Sequence, residues 1–137
     1  MQHSTARLPV ELTLPPSPSP SPSPSHPQLL QVLSKVDDWQ FDAFKLYEVS
    51  QGRPLSLLSF ALLKRSEVVD KFQLDEHKLV KFLMRVEDGY PSNPYHNCIH
   101  AADVLQSLHV LVRHGGLIKN GFCDEVSLIS CYLSAVS

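Results

Sequence analysis

The sequence predicts an all-α fold, a helical array set behind a proline-rich tail. Three observations carry that expectation. From Gln28 onward apolar residues return every three or four positions, the period of a helix with one buried face. Leucine, which has no branch at Cβ, is the most frequent of them and favours helix over strand. Aspartates precede several of these runs and glycine or proline follows them, as helix starts and stops require. Beyond Gln28 no stretch makes a convincing strand.

Residues 1–27 hold eight of the eleven prolines and two charged residues, Arg7 and Glu11, whereas the remaining 110 residues carry 24 charges. Only the second part can bury a core, and a domain of that length needs no disulfide to be stable. The expected division is a disordered tail, 1–28, and a helical domain, 29–137. Pro15 to Pro27 is a Pro-Ser repeat. Proline fixes φ and donates no hydrogen bond, so the repeat reads as an extended polyproline spacer. Pro15-x-x-Pro18 and Pro24-x-x-Pro27 have the spacing of SH3-type ligands, and Ser17, Ser19, Ser21 and Ser23 each precede a proline. A linker without a partner is the stronger expectation.

Leu29, Leu30 and Leu33 open the helical part. Phe41, Phe44, Leu46 and Val49 form a second stripe, closed by Gly52 and Pro54. Leu55 to Leu63 is short enough for a strand, but its leucines favour helix. Asp75 reads as an N-cap, and Leu79, Phe82, Leu83 and Val86 make a one-faced stripe to about Asp88. Gly89 to Pro94 is a loop by composition. A helix from roughly His96 to His114 follows, stopped by Gly115 and Gly116. The last helix starts behind Asp124 and runs Val126, Ile129, Leu133, Val136 to Ser137 without a stop residue. That pattern predicts a helix cut within a longer polypeptide.

The net charge is −2 and no long basic run occurs, which sets nucleic-acid binding aside. Lys78, Lys81 and Arg85 read as a solvated face. The three cysteines are odd in number and lack CxxC spacing. Cys123 and Cys131 would stand about 12 Å apart on one helix, too far to bridge. Reduced thiols in an intracellular, cytoplasmic protein fit best. No apolar run reaches the ~18 residues of a membrane span, and the N-terminus lacks the apolar core of a secretory signal.

Tyr95-His96-Asn97-Cys98-Ile99-His100-Ala101-Ala102-Asp103-Val104 carries the most chemistry. On a continuous helix His96 and His100 would lie about 40° apart, about 6 Å along the axis, with Asp103 about 60° to the other side of His100. Three groups that handle protons or metals would share one face. On an arbitrary helix such a histidine pair is more often an accident of surface or core. Binding of zinc or nickel by the pair, without catalysis, is a further reading. Cys98 falls on the opposite side and reads as a core thiol. His109 lies about 180° from His100 and reads as a hydrogen-bonded packing residue. His114 is suited to the helix C-terminus by its charge.

The ten-residue string resembles the Y-H-N-x-x-H-A-x-D-V signature of class I 3′,5′-cyclic-nucleotide phosphodiesterases. Trp39-Gln40-Phe41-Asp42-Ala43-Phe44 is similar to the W-x-F-D-x-F segment of the same catalytic domain, and Asn93-Pro94, Gln106 and His109 also fit. The resemblance covers roughly Leu29 to Ser137. It implies hydrolysis of cAMP or cGMP to the 5′-monophosphate. His96 matches the general acid that protonates the departing O3′, a task suited to an imidazole because its ordinary pKa lies near neutral pH. His100 matches a zinc ligand, Tyr95 a residue lining the substrate pocket, and Asp103 a carboxylate that orients a ligating histidine. Zinc and magnesium are the implied ions. The resemblance also implies ligands from an H-D-x-x-H element beyond Ser137, so the chain is expected to be the N-terminal portion of the domain and inactive alone. The competing expectation is a non-enzymatic helical fragment that joins a homo- or hetero-oligomer, or competes with an intact enzyme through Val126, Ile129 and Leu133.

Overall fold

The computed structural model describes residues 26–136, and among them there are seven helices and no strand: α1 His26–Leu33, α2 Ala43–Val49, α3 Pro54–Arg65, α4 Val68–Lys71, α5 Glu76–Asp88, α6 Cys98–His114 and α7 Glu125–Val136. The SH3-type motif Pro15–Pro18 and the serines of the tail lie outside the described residues. The helix α1 begins ahead of the expected start and takes in Pro27, which the first turn tolerates because its missing N–H has no intrahelical partner there. No described helix is long and apolar enough to cross a membrane.

Local chemistry sets most of the boundaries. Asp42, Asp75 and Asp124 accept hydrogen bonds from the backbone of Lys45, Lys78 and Ser127, at 2.9, 3.1 and 2.8 Å, and so cap α2, α5 and α7. Pro54 opens α3 at its first position. Gly115 and Gly116 end α6. A Cβ on Gly115 would collide with the Leu111 carbonyl oxygen, and Gly116 has φ +75°, where an L side chain is strained.

Packing centres on α3 and α6. The first meets α2, α4, α5, α6 and α7, and the second meets α2, α3 and α7. Leu46, Leu58, Leu62, Ala102, Leu105 and Val112 form the middle of the core. Burying a side chain of leucine size stabilises by about 1.5–3 kcal/mol, and the α3–α6 contact concentrates several of them.

The buried faces of three helices differ from expectation. Phe44 is 72% exposed. Because Asp42 is the cap, the helix face of α2 is set by Ala43, Leu46 and Val49, and Phe44 turns about 100° away from it. Phe82 is half-exposed, leaving Leu83 as the buried apolar residue of α5. On α7 the packed face is Leu128, Tyr132 and Val136, while Val126 is 57% exposed and Ile129 and Leu133 are half-buried. Two hydrogen bonds turn α7 that way. Tyr132 Oη bonds His109 Nδ1 at 2.6 Å, and Tyr90 Oη donates to the Val136 carbonyl at 3.1 Å. Cys123 precedes α7, so the 12 Å helical spacing from Cys131 does not apply. Both are free thiols, and burial together with Cys131 and Asp124 beside it pushes the Cys123 thiol up. The short helix α4, anchored by buried Val68 and Val69, was not anticipated from the sequence.

Candidate functional site

The ten-residue string does not form one helix. Asn97 is the N-cap of α6, in extended backbone geometry, and His96 lies outside the helix. The Asn97 side-chain oxygen accepts from the backbone N–H groups of Ile99 and His100 at 3.1 and 3.0 Å, while its Nδ2 donates to the Asn93 carbonyl at 3.0 Å. One residue thus starts the helix and folds the preceding loop against it. The two histidines are nonetheless brought together, with ring centroids 6.0 Å apart and nearly perpendicular planes. Tyr95 joins them. Its ring lies 4.4 Å from that of His100, tilted by 36°, and 5.0 Å from that of His96, edge-on. Centroid distances in this range are those of attractive aromatic pairs. His96 and Tyr95 are exposed, and His100 is half-buried in the first turn of α6.

Tyr95, His100 and Asp103 face a cleft of about 540 Å³. Pro94, Asn97 and Ile99 complete that wall, and Gln40, Phe41, Asp42, Ala43 and Phe44 form the opposite one. The exposure of Phe44 has its explanation here, since the ring borders the cleft rather than the core. Asp103 is exposed one turn beyond His100, and among the described residues no hydrogen bond joins the two side chains.

Buried polar groups of α6 hold the opposite wall in place. Gln106 Nε2 donates to the carbonyls of Val36 and Asp38 at 2.9 and 2.7 Å. His109 Nε2 lies 2.7 Å from Asp37 Oδ1, and His114 Nε2 donates to the Asp37 carbonyl at 3.2 Å. Arg65 adds an ion pair to the other Asp37 oxygen at 2.8 Å. The 36–38 turn leads directly into Gln40–Phe44, so one face of α6 carries His100 and another fixes what stands across from it. His109 is the packing histidine the sequence suggested. The role of Gln106 was not legible there, because a glutamine in an apolar helical run carries no signal of which carbonyls it will meet.

Partial burial pushes the Asp37 carboxyl up, but hydrogen bonds from Arg65 and His109 outweigh it and hold the pKa down at about 2. Burial pushes the His109 imidazole below its ordinary value, with Asp37 opposing. Burial raises Tyr132 to about 12. Near neutral pH His109 is therefore uncharged, donating through Nε2 to Asp37 and accepting the Tyr132 hydroxyl at Nδ1.

The described residues do not fit a complete divalent-metal site. His100 is a single imidazole, and no group of three or more His, Cys, Asp or Glu side chains among the described residues is placed to hold an ion. Catalytic zinc takes three protein ligands.

No protein-family model matches the chain. Individual proteins do. A dual-specificity calcium/calmodulin-dependent 3′,5′-cyclic-nucleotide phosphodiesterase 1C of Homo sapiens is 39% identical over 111 residues, which is 80% of this chain and 15% of that protein. A 3′,5′-cyclic-AMP phosphodiesterase 4C of Rattus norvegicus is 42% identical over 110 residues, 80% of this chain and 20% of the relative. A probable 3′,5′-cyclic-AMP phosphodiesterase of Caenorhabditis elegans is 36% identical over 104 residues, 76% and 15% respectively. The chain thus spans 15–20% of the length of these relatives.

Proposed function

The chain belongs to the 3′,5′-cyclic-nucleotide phosphodiesterase family, and on that premise we propose that it supplies the acid and one wall of the substrate cleft for hydrolysis of cAMP or cGMP to the 5′-monophosphate. The observation that carries the reading is the cluster of three rings, Tyr95, His96 and His100, beside the Asn97 cap, of which Tyr95 and His100 line the cleft while His96 stands against them outside its lining. Opening the cyclic phosphodiester expels O3′ as an alkoxide, which is a poor leaving group unless it receives a proton. His96 is exposed and free of the helix, so its ring can present N–H to that oxygen. Protonation by a positioned imidazole accelerates such steps by about 10²–10⁴-fold. Tyr95 offers a flat apolar face on which the substrate can lie. His100 is the position carried over as a ligand of the family's zinc, and Asp103 as the carboxylate that orients the site.

Because one imidazole cannot hold a catalytic ion, these 137 residues are expected to hydrolyse neither cAMP nor cGMP on their own, with zinc and magnesium supplied. A chimera tests the assignment. Residues 29–136 replace the matched segment of the human relative. The chimera should turn over cyclic nucleotide. His96→Ala should lower kcat by about 10²–10⁴-fold with bound zinc unchanged, whereas His100→Ala should lose zinc and activity together. Equal zinc loss in both variants would reverse the two roles, and turnover by the isolated chain would remove the argument from ligand number.

A second reading, a non-enzymatic fragment that pairs with a partner or competes with an intact enzyme, is favoured by one feature. Leu117, Ile118, Phe122 and Val126 are all exposed around the start of α7. Sedimentation of the chain alone and with the human relative separates the readings, since an interaction fragment must form a complex.

A further inference from the structure

A second cavity lies apart from the His100 cleft and shares no residue with it. Leu29 of α1, Val49 of α2, Leu57 and Phe60 of α3, and Val80 and Met84 of α5 line an apolar groove of about 300 Å³. Leu29, Leu57, Phe60 and Val80 are half-buried and Met84 is exposed, so contiguous apolar surface stands open to an occupant.

The walls say what shape that occupant has. They are helices and helix ends, with no strand edge among the described residues. An extended segment would press its backbone N–H and C=O groups against apolar side chains without partners. A helix satisfies its own backbone and offers the groove a stripe of apolar side chains at i, i+3 and i+4. Met84, unbranched and polarisable, adapts to such a stripe.

The rim says what charge it carries. Lys81 and Arg85 each follow a lining residue of α5 by one position, about 100° further round the helix toward solvent. Both are exposed, and neither has an acidic partner among the described residues. The acidic groups nearest in sequence, Glu87 and Asp88, are already engaged. Arg53, itself in the groove lining, pairs with Asp88 and stands 3.6 Å from Glu87, which bonds the start of α3. The α5 side of the groove is therefore left with two unneutralised cations, whose long side chains reach the flank of whatever lies in it.

We propose that the groove between α1, α3 and α5 docks an acidic amphipathic helix of a partner protein. Its apolar stripe covers Leu57, Phe60 and Met84, and its carboxylates run along Lys81 and Arg85. The docking stands apart from the phosphodiesterase reading, since no residue of the ring cluster or of its cleft takes part.

Two synthetic helical peptides test this on the full chain. Both carry a leucine stripe at helical spacing, flanked by glutamates in one and by lysines in the other. Fluorescence anisotropy should show the glutamate peptide binding roughly tenfold more tightly, with the difference shrinking as salt is raised. A glutamate peptide with a central proline should not bind, because proline breaks the helix. Met84→Gln, a neutral change at an exposed position that keeps helix propensity, should weaken the glutamate peptide about fivefold. Lys81→Glu combined with Arg85→Glu should invert the preference, and tighter binding of the lysine peptide is a gain that loss of folding cannot produce. Amide exchange should slow at residues 80–84 and 57–60 and stay unchanged in α6. Equal affinity for the two peptides, undiminished binding by the variants, or protection confined to residues 117–126 overturns the proposal. Self-association of the chain that Met84→Gln abolishes gives the groove to a second copy and overturns it equally.

Discussion

Asn97 decides what Tyr95, His96 and His100 can do together. Its side chain satisfies two N–H groups at the start of α6 and anchors the Asn93 carbonyl at the same time. Asn97→Ala should cost about 0.5–2 kcal/mol, the usual value of a lost N-cap. The loss is read as a lower urea midpoint at unchanged slope. In the chimera the same substitution should reduce kcat, because Tyr95 and His96 lose the anchor that sets their rings against His100. An unchanged midpoint would mean that the loop holds itself without the cap. The pairing of the two histidines was legible in the sequence, but not the means. Helical spacing placed them on one face, whereas a capping asparagine between them breaks the helix and a loop returns His96 to the same place. Asparagine is a preferred N-cap and Asn93-Pro94 lies just upstream, so the break before Cys98 has a local signal, while the histidine spacing alone fits a continuous helix equally well.

Among the elements, α5 and α3 are joined by a buried carboxylate. Glu87 is 4% exposed and accepts from the backbone N–H groups of Leu55 and Ser56, at 2.7 and 3.3 Å, and from the Ser56 hydroxyl at 2.6 Å. It thereby caps the N-terminus of α3 from another helix, where a negative charge is also favoured by the helix dipole. Arg53 stands 3.6 Å from Glu87 and pairs with Asp88. Glu87→Ala leaves these buried donors without an acceptor, at roughly 1–3 kcal/mol for each. Glu87→Gln retains an amide oxygen and should cost less. Thermal melts should rank wild type above the glutamine variant and that above alanine. If alanine and glutamine melt together, the hydrogen bonds to α3 contribute nothing beyond side-chain volume. The sequence made this glutamate look like any polar residue near a helix end, since its burial depends on where α3 begins in space. Apart from the short α4, the helices themselves were legible, with the caps of α5 and α7 at Asp75 and Asp124 and the stop of α6 at Gly115. Which face each turned inward was less so: for α2 and α7 the buried side was chosen by a cap and by the His109–Tyr132 bond.

At the scale of the molecule, the cluster on Asp37 links the 36–38 turn to α3, α6 and α7, and it titrates. The neutral His109 imidazole is favoured in the folded state, so its pKa lies below the unfolded value of about 6.5. The unfolded chain then binds more protons as pH falls through that value, and stability must fall with it. Protonated His109 would point N–H at the Tyr132 hydroxyl, which would have to turn its own hydrogen elsewhere. Asp37 adds a second loss at lower pH. Its folded pKa of about 2 lies below the usual 3.8, so its contribution is complete above pH ~4 and disappears as pH falls toward 2. Denaturant titrations from pH 7.5 to 2.5 should show both losses, and His109→Gln should remove the upper one alone. A His109→Gln variant whose stability still declines as steeply between pH 7 and 5 would place that titration elsewhere.

The sequence by itself determined the all-α class, the family and the helix starts at Asp75 and Asp124, and it singled out His96 and His100 as a pair. These follow from local spacing, intrinsic propensity and a long specific string, all of which act within a few residues. Only the tertiary structure decided that Phe44 turns to the cleft, that Gln106 and Asp37 fix the opposite wall, and that Glu87 is buried. Gln106, Asp37 and Glu87 each depend on a partner more than thirty residues away in the chain, and no local pattern says which partner a polar side chain will meet.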